Sequence, residues 1–384
     1  MTASRARRGA GAGRSLGSTA GGDVEAPPAA QGYRMPAEWE PHAATWIAWP
    51  HEARDWPGKL APIPWVYGEV VRHLVPGERM RILVGDADVE ARARALLQRV
   101  GVDLGRVDFV RAPTDRSWTR DYCPLFVVAG GAPGATSRRV AITNWRFNGW
   151  AKYANHRRDD AVNDRIARRF RLPQWKPTAA VGGKPWRVVL EGGAIDVNGA
   201  GTMLATEECL LDEVQERNPG LPREDLEAVL ADHLGVRKVL WLGRGIVGDD
   251  THGHVDDLAR FVDETTVVIA AEDDPKDANH APLRENRARL EAMTTADGKR
   301  LRVIPLPMPA PLTLDGVRLP ASYANFYIGN AAVLVPTFND PNDRRALEVL
   351  AGLFPTRRVV GIHAVDLVWG LGTMHCMTQQ EPAP

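Results

Sequence analysis

Apolar residues recur along this chain at two spacings, and these spacings predict alternating helices and strands. Val66, Val70 and Leu74 show the helical spacing, in which side chains three or four residues apart share one face. Helices with this pattern are predicted at 64–75, 88–100, 157–170, 221–234, 279–293 and 341–353. Asp86 or Asp88 is the expected N-cap of the second helix, because a short carboxylate accepts the first free backbone N–H groups.

Compact apolar runs between the helices predict strands, because they are rich in β-branched residues and bounded by turn formers. These runs lie at 81–85, 107–110, 122–128, 140–145, 187–190, 194–197, 202–205, 239–242, 266–271, 301–306, 323–328, 333–336 and 358–362. Residues 323–328 and 333–336 are expected to form a hairpin across Gly329 and Asn330. Strand pairs interrupted by single helices recur at intervals of about 60 to 80 residues, so we predict an α/β protein that is not a simple doubly wound sheet.

Composition separates a tail from one folded unit. Residues 1–32 are mostly Ala, Gly, Ser, Arg and Pro, and they predict a disordered N-terminal tail because they offer little apolar surface to bury. No linker-like stretch follows residue 33. We therefore predict a single domain over 33–384.

The charge balance excludes several classes of partner. Lys+Arg and Asp+Glu number 48 each among 384 residues, so no long-range field favours nucleic acid or an acidic membrane surface. No uninterrupted apolar run is long enough to predict a membrane span. The three cysteines form no CxxC pair or disulfide pattern, which indicates a reducing, cytoplasmic location.

Residues 248–257 read GDDTHGHVDD and concentrate ionisable side chains. If this stretch is extended, alternate residues share a face, and Asp250, His252, His254 and Asp256 lie side by side. His254 is then a candidate general acid and base, because the ordinary pKa of histidine lies near neutral pH. The alternative for His254 and Asp256 is a salt bridge within a core.

A metal site is the second interpretation of the same stretch. HGHVDD is close to the H-x-H-x-D-H signature of two-zinc hydrolases, but Asp257 stands where that signature needs a third histidine. The pattern leaves open a metal-dependent hydrolase built on His252, His254 and Asp256. Chelator sensitivity would support this alternative.

Three further residues stand at positions typical of an active site. Cys376 follows Gly370 and Gly372 in a polar setting, which favours a nucleophile over the buried inert thiol that most cysteines form. Cys123 and Cys209 lie in apolar, strand-like runs and are predicted to be inert. Asp121 in SWTRDYCP and Glu191 in VVLEGGAID are carboxylates beside apolar strands, although either one alone is a weak signal.

One thiol, one histidine and several carboxylates, without a phosphate-binding glycine loop, favour a cationic substrate. A planar guanidinium offers paired N–H donors to carboxylates. The candidate residues therefore point to attack on a guanidine carbon.

Several stretches together resemble a known family. MPAEWEPHAATWIAWP, SWTRDYCPLFVV, FNGWAKY, VLEGGAIDVNGAGTMLATEECLL, GHVDDLARFV, ASYANFYIGNAAVLVP and MHCMTQQ are similar to motifs of the agmatine deiminase and bacterial peptidylarginine deiminase family, within the guanidino-group-modifying superfamily. The resemblance extends from about Met35 to Glu381. It implies a five-bladed, pseudo-symmetric α/β propeller, the pentein fold, with 33–384 as the deiminase catalytic domain.

The resemblance also implies roles for individual residues. It implies Cys376 as nucleophile, His254 as acid and base, Asp121 and Asp256 as guanidinium ligands, and Glu191 as a catalytic carboxylate near the histidine. Trp118 and Asp250 match positions at the pocket wall, where they would contact the substrate. The implied reaction passes through an amidino-cysteine intermediate and needs no metal or organic cofactor.

The implied substrate is a small cationic guanidine, first of all agmatine, which would give N-carbamoylputrescine and ammonia. Peptidyl-arginine or another guanidino compound is the alternative, because Leu371, Cys123 and His252 depart from the family pattern near the far end of the pocket. A catalytically inactive member that only binds a guanidino ligand is a further alternative. The resemblance leaves the oligomeric state open, with a homodimer among the options.

Overall fold

The computed structural model describes residues 26–131 and 138–384. Its α-helices are α1 (Ile63–Leu74), α2 (Ala87–Arg99), α3 (Thr119–Tyr122), α4 (Arg157–Asp160), α5 (Val162–Phe170), α6 (Glu207–Leu211), α7 (Arg223–Leu234), α8 (His280–Ala292) and α9 (Asn342–Leu353). Short 3-10 helices are formed by Pro28–Gln31, Leu104–Arg106, Gly192–Ala194, Val255–Asp257 and Val368–Gly370. The six predicted helices are all present, although 157–170 divides into α4 and α5 at Ala161. Asp86 is the N-cap of α2, since its carboxylate accepts the Val89 N–H at 2.8 Å.

The strands are mostly short. They are β1 (Tyr33–Arg34), β2 (His42–Ala48), β3 (Arg79–Val84), β4 (Val107–Arg111), β5 (Leu125–Ala129), β6 (Arg139–Thr143), β7 (Gln174–Trp175), β8 (Thr178–Val181), β9 (Lys184–Arg187), β10 (Ile195–Val197), β11 (Thr202–Thr206), β12 (Lys238–Leu242), β13 (Ala259–Phe261), β14 (Thr266–Ala271), β15 (Arg302–Pro307), β16 (Thr313–Leu314), β17 (Val317–Arg318), β18 (Tyr327–Ile328), β19 (Ala332–Thr337), β20 (Arg358–His363) and β21 (Gln379–Pro382).

Five sheets repeat one connectivity. In each, an antiparallel strand pair is followed by one or two helices and by a third strand that lies parallel to the second. These ββαβ units are β5-β6-β7, β10-β11-β12, β13-β14-β15, β18-β19-β20 and β21-β2-β3. The last unit takes its first strand from the end of the chain. β1 and β4 extend two of these sheets, and β8-β9 and β16-β17 form separate hairpins.

The middle strand of each unit lies in the core. β11 is buried along its whole length, and β14 and β19 are buried except at their last residue. Such strands have no solvent-facing side, so their sequences read as continuous apolar runs instead of alternating ones. The helices between the second and third strands are amphipathic, and α8, for example, packs its buried Leu283 and Leu290 beside β14.

Three strand predictions differ from the structure. Residues 119–122 form the helical turn α3, and Pro124 then delays the strand to Leu125. Residues 188–190 lie outside β9 and make only an isolated bridge from Val189 to Arg146. The predicted 323–328 strand is reduced to β18, but its hairpin with β19 is present.

The last residues of the predicted tail, 26–32, lie against the folded part of the chain. Pro28 is buried, and the Trp175 indole donates to the Ala26 carbonyl at 2.9 Å, so residues 26–32 already contact the fold. Residues 1–25 of the predicted tail and residues 132–137 of a glycine-rich turn lie outside the described residues. None of the helices in the described ranges has the length and hydropathy needed to cross a bilayer.

Candidate active site

Five segments meet at one cluster of reactive side chains. Each segment lies directly before the first strand of a ββαβ unit, and the five contribute Asp121 before β5, Glu191 before β10, His254 and Asp256 before β13, Asn325 before β18, and Cys376 before β21. The structure thus brings together all five residues that the sequence analysis named as catalytic. Asn325 joins them from the remaining unit.

The Cys376 thiol forms part of the lining of a cleft, and two neighbouring side chains contact its sulfur. The Asn325 side-chain amide donates to its Sγ at 3.2 Å, and an oxygen of Asp256 lies 3.9 Å from the same sulfur. Asn325 is fixed in turn, because its Oδ1 accepts from Thr373 Oγ1 at 2.7 Å and from the His375 N–H at 3.0 Å. Burial, followed by the charges of Asp256 and nearby carboxylates, raises the pKa of Cys376 well above its ordinary value.

His254 is surrounded by carboxylates. Its Nδ1 lies 3.9 Å from oxygens of both Asp121 and Asp256, and its Nε2 lies 3.8 Å from Glu191. Burial lowers the pKa of His254, but Asp121, Cys209 and Glu191 outweigh it and leave the pKa well above the ordinary value. The ring is therefore an imidazolium at neutral pH. Neither of its N–H groups has a hydrogen-bond partner among the described residues, so both can serve a ligand.

Asp121 is aimed into the site by two donors. The Trp150 indole donates to its Oδ2 at 2.8 Å, and the Gly193 N–H donates to its Oδ1 at 3.1 Å. Burial, together with the negative charges of Asp256 and Glu191, raises the pKa of Asp121 to about 6, despite the opposing His254. This carboxylate is thus ionised only above mildly acidic pH.

Gly193 also makes room for a substrate between the charged groups. A Cβ on Gly193 would lie 2.5 Å from His254 Nδ1, 2.9 Å from Asp121 Oδ1 and 3.0 Å from Asp256 Oδ2. No side chain fits without displacing one of these groups. The second glycine of EGG is therefore needed to keep the space between the histidine and the two aspartates open.

Glu191 is held by a buried arginine. Arg217 Nε lies 3.1 Å from Glu191 Oε1, and both side chains are shielded from solvent. Burial raises the pKa of Glu191, but Arg217 and His254 lower it to about 2. Glu191 therefore keeps its charge at all working pH values and stabilises the imidazolium of His254.

The Asp256 carboxylate faces both reactive groups. One of its oxygens lies 3.9 Å from Cys376 Sγ, and the other lies 3.9 Å from His254 Nδ1. Burial raises its pKa, but a 2.7 Å contact with His375 and the nearby cations lower it below the ordinary value. Asp257 beside it is buried and near Asp256, which raises its pKa well above the ordinary range.

A cleft of about 280 Å³ opens above this cluster. Trp118, Asp121 and Cys376 line its deep part, together with Trp150 and Gly370. Further residues of the lining are polar, charged or aromatic: Arg54, Asp55, Arg116, Tyr153, Asn155 and Asp250. The volume suits a small molecule.

Asp250 lies in the lining but already has protein partners. Lys152 Nζ donates to one oxygen at 2.5 Å, and the Tyr153 hydroxyl donates to the other at 2.7 Å. Asp55 is likewise paired with Arg116. The outer carboxylates of the cleft are thus neutralised by cations of the chain, whereas the inner carboxylates Asp121 and Asp256 are not paired with any arginine or lysine in the described ranges.

Gly370 and Leu371 shape the wall of the cleft beside Cys376. A Cβ on Gly370 would lie 2.9 Å from Trp118 and 2.5 Å from Trp56, so no larger residue fits. Leu371 adopts φ +68°, the left-handed region that favours glycine. The leucine that departs from the family pattern therefore occupies a strained position and lines the cleft.

The expectation of a strand at 249–257 is wrong. The segment turns tightly, because Asp249 accepts backbone N–H groups from Thr251, Gly253 and His254 at 2.8 to 2.9 Å. His252 has φ +65° and lies 3.3 Å from Asp212. Alternate side chains of this stretch therefore do not share one face.

This turn also removes the metal site proposed on His252. Two groups of three side chains in the described ranges have potential donor atoms within 4.8 Å of one another, and they are Glu191, Cys209 and His254, and Asp256, Asp257 and Cys376. His252 belongs to neither group. A metal in either place would be bound by His254 or by the Cys376 thiol without His252, so the arrangement does not fit a hydrolase built on His252, His254 and Asp256.

Some residues of the site escaped the sequence analysis. Asn325 and Trp150 lie in the motifs ASYANFYI and FNGWAKY, but amide and indole side chains gave no chemical signal there. Arg217 has no motif of its own. Cys209 was predicted to be inert in a strand, whereas it lies on α6 with its sulfur within 4.8 Å of both Glu191 and His254.

The site and fold agree with comparisons to known proteins. A family model for Porphyromonas-type peptidyl-arginine deiminase matches residues 34–382. The agmatine deiminase of Stutzerimonas stutzeri is 35% identical, with 93% of this chain and 97% of the relative covered. The solved agmatine deiminase of Enterococcus faecalis gives a TM-score of 0.84 at 32% identity, covering 94% of this chain and 98% of that one.

A solved C. jejuni agmatine deiminase with substrate bound gives a TM-score of 0.78 at 27% identity and covers 91% of this chain and 96% of that one. These likenesses show the mixed α/β fold of the solved deiminases. They also confirm the family resemblance found in the motifs. The chain belongs to the Porphyromonas-type peptidyl-arginine deiminase family.

Proposed function

We propose that this protein hydrolyses the guanidine of agmatine to N-carbamoylputrescine and ammonia. The observation that carries the proposal is the position of Asp256, whose two oxygens lie 3.9 Å from the Cys376 thiol and 3.9 Å from the His254 ring. A cation held by this carboxylate lies next to both a nucleophile and an acid. The agmatine deiminases among the relatives support the same reaction.

Asp121 and Asp256 are proposed to hold the guanidinium. Both are buried, and neither is paired with an arginine or lysine, so a planar cation with paired N–H donors satisfies them. Trp118 flanks the deep part of the cleft and offers an aromatic face to the cation. The guanidinium carbon then faces Cys376.

Substrate binding is proposed to activate the thiol. Burial and the surrounding carboxylates raise the pKa of Cys376, so the free enzyme holds a neutral thiol. A guanidinium between Asp121 and Asp256 offsets their charge and favours the thiolate. The nucleophile is therefore formed mainly when its substrate is present.

The thiol proton is released to solvent as the thiolate forms, because His254 is already protonated. The thiolate then attacks the guanidinium carbon, and a C–S bond forms to give a tetrahedral adduct. His254, an imidazolium, gives its proton to the departing nitrogen, which leaves as ammonia and gives an amidino-cysteine. Now neutral, His254 takes a proton from water, and the resulting hydroxide adds to the same carbon. The C–S bond breaks to release the ureide, and the O–H proton of the adduct passes to the departing thiolate, which restores the neutral thiol. Glu191 stabilises the imidazolium in both halves.

A second candidate substrate is a guanidine that carries a carboxylate, such as arginine or an arginyl peptide. Arg54 lines the outer cleft, and its pair with Glu52 is exposed to solvent and therefore weak, whereas Arg116 is held by Asp55 and Lys152 by Asp250. Arg54 suits a negative group at the far end of the substrate. The ammonium of agmatine would instead compete with Lys152 for Asp250.

We also propose that the five ββαβ units form the five blades of a pentein propeller, with 33–384 as one catalytic domain. The support is that every unit sends the segment before its first strand to the same cluster. Equivalent segments meet at one point if the blades surround a common axis. The homodimer and the cytoplasmic location stay predictions, which light scattering and cell fractionation would test.

The decisive test measures ureide and ammonia from agmatine, free arginine and an arginyl peptide, with and without a chelator. We expect agmatine to give equal amounts of both products, no effect of the chelator, and an amidino adduct on Cys376 in the mass spectrum of quenched enzyme. The Cys376→Ala variant should release nothing but should still be stabilised by agmatine. Turnover in that variant would exclude the covalent mechanism, and binding without turnover in the wild type would indicate an inactive family member.

A further inference from the structure

His375 precedes the nucleophile in the chain but lies behind the site, outside the cleft lining. Its side chain is buried and contacts a carboxylate on each side. Nδ1 lies 2.7 Å from Asp256 Oδ2, and Nε2 lies 2.8 Å from Glu38 Oε2. Each ring nitrogen therefore faces an oxygen that only accepts hydrogen bonds when it is ionised.

Both carboxylates are ionised in this environment. Burial raises the pKa of Glu38, but Arg260, His375 and Arg120 lower it well below the ordinary value. Contact with His375 likewise holds the pKa of Asp256 down against burial. A neutral imidazole has one N–H and would turn a lone pair toward one of the carboxylates. Only the imidazolium donates to both.

The charge balance of the surroundings leads to the same conclusion. Arg260 pairs with Glu38 at 3.0 Å and with Asp196 at 2.7 Å, and Arg120 pairs with Glu38 at 3.2 Å. The connected buried side chains are three acids and three bases, namely Glu38, Asp196, Asp256, Arg120, Arg260 and His375. With a neutral His375, this buried network would carry an uncompensated negative charge, which is costly in a low-dielectric interior.

We propose that His375 is a positioning residue, an imidazolium that fixes the orientation and the charge of Asp256 so that this carboxylate can hold the substrate cation. The contact with His375 Nδ1 occupies one oxygen of Asp256, Oδ2. The other oxygen, which has no hydrogen-bond partner among the described residues, is left for the guanidinium. The inference rests on the proposed deiminase function and extends the machinery beyond the residues that contact substrate.

Two substitutions separate the two contacts of the ring. In His375→Asn the amide nitrogen lies near the position of Nδ1 and keeps a donor to Asp256. In His375→Gln it lies near the position of Nε2 and keeps a donor to Glu38 only. His42→Gln is the control, because the His42 side chain is also buried and paired with a carboxylate, Glu78. Its Nε2 contacts only the backbone carbonyl of Glu38, and the glutamine amide near the same position keeps that bond.

We expect His375→Gln to lower kcat/KM by about 100-fold, since a small misplacement of a binding group has effects of this size. His375→Asn should lose about tenfold, because it keeps the bond to Asp256 without the charge. The loss should appear as a higher KM for agmatine, in the order wild type, His375→Asn, His375→Gln, because Asp256 is the carboxylate proposed to hold the substrate cation.

A structural role alone would give a different result. Both His375 variants and His42→Gln would then lose activity in proportion to their melting temperatures, with the KM of the folded enzyme unchanged, and the inference would be overturned. If the wild type releases no ureide, the proposed function fails separately. Binding of agmatine to the His375 variants in a Cys376→Ala background, measured by calorimetry, then still tests the positioning: unchanged affinity would refute it, and weaker binding in the order Asn, then Gln would support it.

Discussion

Replacement of Trp150 by phenylalanine tests how the protein keeps Asp121 ionised. The Trp150 indole donates to Asp121 Oδ2 at 2.8 Å, and phenylalanine keeps an aromatic ring but removes the N–H. Trp150 also packs edge-on against Phe147 with ring centroids 5.0 Å apart, a contact that a smaller ring partly retains. The main change is therefore the loss of one hydrogen bond to a buried carboxylate.

The size of the effect follows from the charge on the acceptor. A hydrogen bond to a charged group contributes about 1.5–3 kcal/mol. One pKa unit corresponds to about 1.4 kcal/mol, so the pKa of Asp121 should rise by about one to two units in the variant. Asp121 has a pKa of about 6 in the wild type. At neutral pH the ionised fraction should fall from about nine-tenths to about one-half or less, by the ordinary titration relation.

Under the proposed function Asp121 holds the cation only as a carboxylate, so activity should be present above its pKa and lost as the pH falls through it. We expect the acid limb of kcat/KM to lie near pH 6 in the wild type and about one to two units higher in Trp150→Phe, with activity recovering at alkaline pH. The measurement is ureide formation across pH 5 to about 9.5, a range chosen to span both limbs. The limb should be absent from kcat at saturating substrate if ionisation controls binding alone.

Trp145→Phe is the matched control, because its indole donates to Thr143 at 3.0 Å in the interior, away from the cleft. This variant should keep the wild-type pH profile. An unmoved acid limb in Trp150→Phe, or the same shift in both variants, would refute the assignment of the limb to Asp121.

Three further predictions concern other parts of the site. Arg217→Met should reduce the free energy of unfolding by about 3–5 kcal/mol, measured by urea denaturation, because it leaves the buried Glu191 unpaired; equal stability would show that Glu191 has another partner. Lys152→Met should lower the KM for agmatine by about tenfold without changing kcat, because Asp250 becomes free to bind the ammonium group of the substrate. A higher KM in this variant would show that Lys152 assists binding. The rate at which iodoacetamide alkylates Cys376, followed by peptide mass spectrometry, should keep rising with pH beyond about 9, since burial raises the pKa of the thiol. A plateau of this rate below neutral pH would indicate a preformed thiolate.

The local pattern of apolar residues was enough to predict most of the longer helices and strands. The helical spacing of apolar residues located α1, α2 and α7 to within two residues, because each of these helices packs a single face against a sheet. The strand at 266–271 has the predicted bounds, since a fully buried strand is a continuous apolar run. The predictions failed where a side chain bonded the nearby backbone, as Asp249 does in the turn that replaces the expected strand.

Part of the chemistry of the site could also be predicted from the sequence. Asp121 and Glu191 each stand directly beside a short apolar strand, and polar residues at strand ends are typical of sites. Their family motifs named the nucleophile and the carboxylates. Asn325 gave no such signal, because an amide becomes chemically informative only when the thiol it contacts is known.

The sequence by itself therefore determined the order of helices and strands, the family, and which kinds of reactive group the protein carries, because these depend on spacing and local composition. Only the tertiary structure decided how those groups are charged. Cys376 and Asp256 are 120 residues apart and are brought together by two different ββαβ units. His375 and Glu38 are 337 residues apart and are in contact because the two ends of the chain pair in the β21-β2-β3 unit. A pKa depends on burial and on neighbours at distances of a few ångströms, and in this fold those neighbours come from every unit of the chain.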